Sequence, residues 1–224
     1  MGDYDDLASM SERKALNSCD LHEATLDTFD KVYLERTMKI ANELSFMRGK
    51  LIGLLEGNHY GVFTNGMTTT QKLCEVLGCK YLGCSAFIRL AFRDGKRASS
   101  VDIWANHGAG ASRTIGSSIS SVEKMEQVAE ADIYLSGHDH RKYAALKAKL
   151  RLGTGNGGIR LNQRQILLGR TGSFLKGYVE GEPSYIARRS LPPTDLGVIE
   201  IELKLHRKRT DGVEDFHVDI HCRT

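Results

Sequence analysis

Residues 131–140 read Ala-Asp-Ile-Tyr-Leu-Ser-Gly-His-Asp-His. The apolar run Ile133-Tyr134-Leu135 fits a short buried strand. Gly137-His138-Asp139-His140 follows it directly. In extended chain, residues two apart face the same side, so His138 and His140 are expected to turn toward one site, with Asp139 pointing away. Open α/β sheets place ligands beyond the carboxyl ends of their strands. A histidine-rich segment in that position is therefore a candidate site.

Working outward, the same arrangement recurs. Asn106-His107-Gly108 follows a predicted strand at 99–105. Gly57-Asn58-His59 follows a buried parallel strand predicted at 51–55. Gly2-Asp3 opens the chain. Imidazole nitrogens with carboxylate or amide oxygens suit a divalent ion. Two ions held roughly 3.5–4 Å apart require a bridging carboxylate and ligands from several loops. Glycine beside each ligand lets backbones crowd into one crevice. Singly these dipeptides mean little; as an ordered set, three of them after strands, they point to a metal site.

The remaining elements follow from periodicity. Residues 26–48 carry Leu26, Phe29, Val32, Leu34, Met38, Ala41, Leu44 and Met47 at helical spacing, an amphipathic helix. Helices are expected at 69–77 and 122–131, and strands at 81–92 and 164–169. Residues 143–151 fit strand or helix. Turns are expected at 153–158 and 210–212. In the tail, Ile199, Ile201, Leu203 and Leu205 alternate with polar residues, as do Phe216, Val218 and Ile220, predicting a hairpin with one buried face. Helices and strands alternate first and strands accumulate later, giving an α/β layered domain with a mixed sheet. With no repeat and no linker, residues 1–224 are expected to form one domain.

Hydrophobic residues at 41% and charged residues at 26% describe a globular chain. A net charge of +3 demands neither nucleic acid nor membrane and does not oppose an anionic substrate. No apolar run reaches the roughly 18 residues that span a bilayer, and the first 30 residues lack an apolar signal core, so a cytoplasmic location and no membrane partner are expected. Cys19, Cys74, Cys79, Cys84 and Cys222 form no Cys-x-x-Cys pair. They read as buried or partly buried free thiols in a reducing compartment. No cysteine lies within a few residues of His138 or His140, against a structural zinc site.

The ordered set Gly2-Asp3, Gly57-Asn58-His59, His107-Gly108 and Gly137-His138-Asp139-His140 resembles the signature of the calcineurin-like metallophosphoesterase family. Residues 2–11 and 171–178 are similar to its phage and bacterial members. The resemblance spans residues 2–140 and implies a layered fold with mixed β-sheets flanked by helices. It also implies hydrolysis of phosphomonoesters or phosphodiesters, nucleotides and nucleic acids among them, by metal-activated hydroxide. Two divalent ions are implied, manganese first, with iron, zinc or nickel as alternatives. Asp3 would bridge them, Asn58, His107 and His138 would complete one shell, and His140 would bind the other ion. His59 would lie near the leaving group, stabilising charge or donating a proton.

The family opens with Asp-x-His on a first strand ahead of Gly-Asp, whereas only Met1 precedes Gly2 here. That strand and motif are therefore expected to be absent, through a truncated reading, a start placed too late, or completion by another polypeptide. On this expectation Asp3 and His140 alone serve the first ion, and an alternative function is a catalytically impaired metal-binding or interaction module. Tyr60 stands where many members carry an acidic residue. His22, His206, His217 and His221 read as surface histidines, and Arg207-Lys208-Arg209 as a solvated hairpin end. Arg188-Arg189 reads equally as a phosphate contact or an ordinary basic loop, and Trp104 as core packing.

Overall fold

The computed structural model describes residues 1–110, 114–155, 158–210 and 213–224, without the side chains of 154, 155, 160, 208–210 and 213–215. The centres of the two expected turns, at 156–157 and 211–212, and the side chains of Lys208 and Arg209 lie outside the described residues. The chain divides into two compact units, Met1–Ala86 and Phe87–Thr224.

In the first unit, helices α1 (Met10–Asn17) and α2 (Glu23–Glu43) precede β1 (Gly53–Leu54), α3 (Thr69–Leu77) and β2 (Lys80–Tyr81). Strands β1 and β2 pair in parallel. Capping boxes start α1 and α3: Ser9 with Glu12, and Thr68 with Gln71. The sequence carries both signatures, but α1 was not among the expected elements. Helix α3 ends on Gly78 in the left-handed conformation.

Helix α2 corrects the expected apolar stripe. Its buried residues are Tyr33, Thr37 and Ala41, one turn apart, whereas Val32, Leu34 and Met38 are exposed. Thr37 is tolerated inside because its hydroxyl donates to the Tyr33 carbonyl at 2.7 Å. Ala41 meets Leu54, Leu73, Cys74 and Leu77 in the core of this unit.

The second unit carries a five-stranded mixed sheet of order β3-β4-β5-β7-β6. The strands are β3 (Ser85–Asp94), β4 (Arg97–Asn106), β5 (Ile133–Ser136), β6 (Lys142–Gly155) and β7 (Gly158–Thr171). Strand β5 lies parallel to β4 and to β7, and β6 is antiparallel to β7. The ambiguous stretch at 143–151 is therefore strand. The single strand expected over 81–92 is two, β2 and β3, separated by a bend whose Gly83 has φ 67°.

Alternate residues feed opposite faces of the sheet. Val101, Ile103, Ile133 and Leu167 pack with Ile220 on one face. That face is covered by the antiparallel hairpin of β8 (Glu200–Thr210) and β9 (Val213–Arg223). Tyr134, Ile166 and Leu168 pack with Val122 and Ala131 on the other, against α4 (Ile115–Glu123). The helix expected at 122–131 is thus displaced: α4 begins at its Thr114 cap, and only a 3-10 turn, Lys124–Gln127, follows. Its Ser-rich sequence is a weak helix former, and burial of Ser118 and Val122 fixes it. A short helix α5 (Tyr185–Arg188) interrupts the loops before β8. Among the described residues no helix is long and apolar enough to cross a membrane.

Candidate functional site

In the first unit, β1 leads through buried Leu55 and Glu56 to Gly57-Asn58-His59. The Asp3 carboxylate accepts from the backbone N–H of Asn58 at 2.7 Å and of His59 at 3.0 Å. A Cβ on Gly57 would overlap Asp3 Oδ1 and its backbone nitrogen. Glycine is required here so that two chain segments can meet. Asp3, Gly57 and His59 line a small cleft that opens to solvent.

Three further residues surround this arrangement. Asp6 Oδ1 lies 2.6 Å from His59 Nδ1. A carboxylate only accepts, so the Nδ1 proton is held there and Nε2 is the ring's other proton-exchanging position. Arg13 Nη1 donates to the carbonyls of Ala8, Asn58 and Tyr60, the last two at 3.0 Å, and its guanidinium sits 3.9 Å from the Tyr60 ring centre. The aromatic residue at 60 thus has a local packing partner. Asp5 is taken up by a two-point ion pair with Arg36, at 2.6 and 2.8 Å. From the sequence Asp5 and Asp6 read only as conceivable substitutes for the missing first-ion ligands, whereas here they engage Arg36 and His59; nothing in the sequence marks Arg13.

In the second unit, the parallel register sets Asn106 beside Ser136. The residues that leave β4 and β5 therefore emerge together, and the Gly137 N–H donates to the His107 carbonyl at 3.0 Å. His107 is 5% exposed. Its Nε2 lies 3.2 Å from His138 Nδ1, with the rings nearly perpendicular. Two ligands about 2.0–2.1 Å from a four-coordinate ion lie roughly 3.3 Å apart. The pair is therefore spaced to share a proton or a divalent ion, and His107 and His138 can hold one.

The segment after β5 is not extended, so the alternation argument for His138 and His140 does not apply. Both residues are left-handed, at φ 70° and 56°. The Asp195 N–H donates to the His140 carbonyl at 2.9 Å. Gly108, at φ 98°, packs so closely that a Cβ would lie 2.7 Å from Ser136 Oγ. Asp139 turns into the protein, where its carboxylate accepts from Ser118 Oγ at 2.5 Å and lies 3.4 Å from Arg170 Nε. Arg170, buried at the end of β7, had no signal beyond being an arginine closing an apolar run.

Among the described residues, the non-glycine positions with positive φ are Asp3, His138, His140 and Ser190. Three of these four are ligands expected from the sequence. Such conformations cost of order 1–3 kcal/mol each and cluster where function needs them.

The other histidines lie elsewhere. His22 precedes α2 and His221 is exposed on β9. His206 and His217 stack across the terminal hairpin, with ring centres 5.8 Å apart and Asp219 beside both. Arg188 and Arg189 are exposed at the end of α5. Trp104 packs against the α4-side core and against Phe87, at 4.7 Å between ring centres, only partly buried. All five cysteines are free; Cys19 and Cys84 are exposed, correcting the expectation that all would be covered. No family model matches this chain, and no curated protein matches it.

Proposed function

We propose that this chain is a metal-dependent phosphoesterase of the calcineurin-like kind, acting on phosphomonoesters or phosphodiesters. In this reading Asp3 and Asn58 of the first unit and His107, His138 and His140 of the second serve as ligands for divalent ions, and the His107–His138 pair alone is already spaced for one. The observation that carries it is the coincidence of backbone strain with chemistry: three of the four described non-glycine residues at positive φ are Asp3, His138 and His140. Strain at a residue that merely filled space would be relieved by substitution with glycine or asparagine.

The chain's own residues have separable tasks. The N–H groups of Asn58 and His59 fix the Asp3 carboxylate. The His107–His138 pair presents two nitrogens at ligand spacing. His59, with Nδ1 tied to Asp6, offers Nε2 to protonate a departing oxygen, a role worth about 10²–10⁴-fold in rate. A bound divalent ion supplies neutralisation of phosphoryl charge and acidifies water.

The test is hydrolysis of an aryl phosphodiester, bis(p-nitrophenyl) phosphate, and of the corresponding monoester, with manganese and after chelation. Wild type should turn over only with the metal. Asn58→Ala should need far more manganese, and His59→Ala should lose kcat while still binding it. Equal rates in all three proteins would overturn the assignment.

A further inference from the structure

Arg170 is 3% exposed, and its charge must be compensated where it lies. Its Nη1 donates to Ser136 Oγ at 3.0 Å and to the Gly137 carbonyl, and its Nη2 donates to Ser121 Oγ. Its Nε lies 3.4 Å from Asp139 Oδ2, and the Asp139 side chain is 2% exposed. Asp139 in turn accepts from Ser118 Oγ at 2.5 Å and from the Arg141 N–H at 3.3 Å. One guanidinium therefore ties together β7, α4, the end of β5 and the turn carrying both histidines. A hydrogen bond reaches the turn at Gly137 and an ion pair reaches it at Asp139, the residues flanking His138. Asp139 also separates His138 from His140, and both of these are left-handed. A turn with two strained residues keeps that shape only when its surroundings over-determine it.

We propose that Arg170 and Asp139 are positioning residues: their buried ion pair holds the 137–141 turn in the shape that presents His138 and His140 as metal ligands. The inference rests on the metal-site reading above and adds residues that touch no ion. Supports of this kind typically govern 10–100-fold in metal affinity.

The experiment is a manganese titration by calorimetry on the full chain, with thermal unfolding measured in parallel. Three proteins are compared with wild type. The double variant Asp139→Leu with Arg170→Met replaces the ion pair by apolar groups of similar size, a change that buried pairs often tolerate without loss of stability. Asp139→Asn keeps the shape of the side chain and removes only its charge, so it serves if the double variant does not fold. Arg170→Lys keeps the charge and a single contact. The expected result is folded protein with manganese affinity about 10–100-fold weaker in the double variant, weakened in Asp139→Asn, and partly recovered in Arg170→Lys. Wild-type affinity in a folded double variant or in Asp139→Asn overturns the positioning role, whatever happens to the melting temperature. A wild-type protein that binds no manganese overturns the metal reading itself, and this proposal with it.

Discussion

Asp3 in the first unit and His138 in the second share a left-handed backbone, but they are held by different means. Around Asp3 the restraints are two peptide N–H bonds, a histidine–carboxylate pair largely open to water and an arginine gripping carbonyls from one side. Around His138 they are a parallel strand register and an ion pair with both side chains at or below 4% exposure. Solvent-facing restraints give way locally; buried ones cannot shift without opening the core. The same insult should therefore produce different symptoms in the two units.

The strongest way to break that contrast is to add one methyl group to each. In Gly108→Ala the new carbon would meet Ser136 Oγ at 2.7 Å and Arg170 Nη1 at 3.3 Å, with φ at 98°. Ser136 and Arg170 are both buried, so neither can yield. A loss on the order of 3 kcal/mol is expected, roughly 6–12 °C in melting temperature for a chain of this length. In Gly57→Ala the backbone is permissive and the overlap falls on Asp3. The carboxylate should be displaced, with manganese binding lost and the melting temperature falling less. Equal thermal losses in the two variants would show that the first unit is as rigid as the second.

A smaller contrast lies on the alkaline side. Burial, with the neighbouring Cys79 adding to it, pushes the Cys74 thiol of the first unit from 9.0 up to about 12. Burial likewise pushes Tyr143 of the second unit from 10.0 up to about 12. Each folded value lies above the unfolded one, so folding favours the protonated group. The stabilisation is complete below the unfolded value and is lost as pH rises toward 12. For Cys74 the loss begins near pH 9, for Tyr143 near pH 10. By pH 10 the first unit should already be losing stability through Cys74, before Tyr143 begins to weaken the second. Alkylation of Cys74 during urea unfolding reports the first unit, and fluorescence of Trp104, the single tryptophan, reports the second. Between about pH 8 and 10 the first midpoint should fall further than the second. Parallel movement of both would remove the difference.

What the sequence could disclose follows the same divide. The apolar runs at 51–55 and 133–135 and the alternation in 199–205 and 216–220 point to strands because burial on a pleated surface leaves a period of two. Helix α3 is legible from end to end, since Thr68, Gln71 and Gly78 supply its cap signals. Helix α4 is not, because its serines are favoured by neither helix nor strand and tertiary burial decides. The mixed α/β organisation could be read; the break at Gly83 and the buried stripe of α2 could not. Glycine next to Asn58 and His107 marks places where chain segments close in, as the contacts of Gly57 and Gly108 make plain. The residues behind these candidate positions stayed hidden. Arg170 and Arg13 act through carbonyls contributed by distant segments, and a carbonyl is present at every position, so nothing in composition marks which one an arginine will reach. The condition that 138–140 stay extended fails for a related reason: His138 and His140 are left-handed while Asp139 between them folds inward onto a partner 31 residues away.

The smallest effect expected is also the most discriminating for His59. Its partner Asp6 is 77% exposed at the side chain, and the ring itself 34%. An exposed pair contributes about 0–1 kcal/mol, so Asp6→Asn should leave the melting temperature unchanged and lower kcat by at most about fivefold. The asparagine can still accept from Nδ1, so ring orientation survives while the carboxylate's charge is lost. Raising the salt should then make wild type resemble the variant, because screening at about 1 M acts within roughly 3 Å. The Arg170–Asp139 pair, shielded from ions by burial, should show no such response in manganese affinity beyond that common to both proteins. A rate for Asp6→Asn that stays salt-dependent, or that falls a hundredfold, would mean that His59 is held in a far drier setting than its exposure indicates. The two units would then position their chemistry by the same physics.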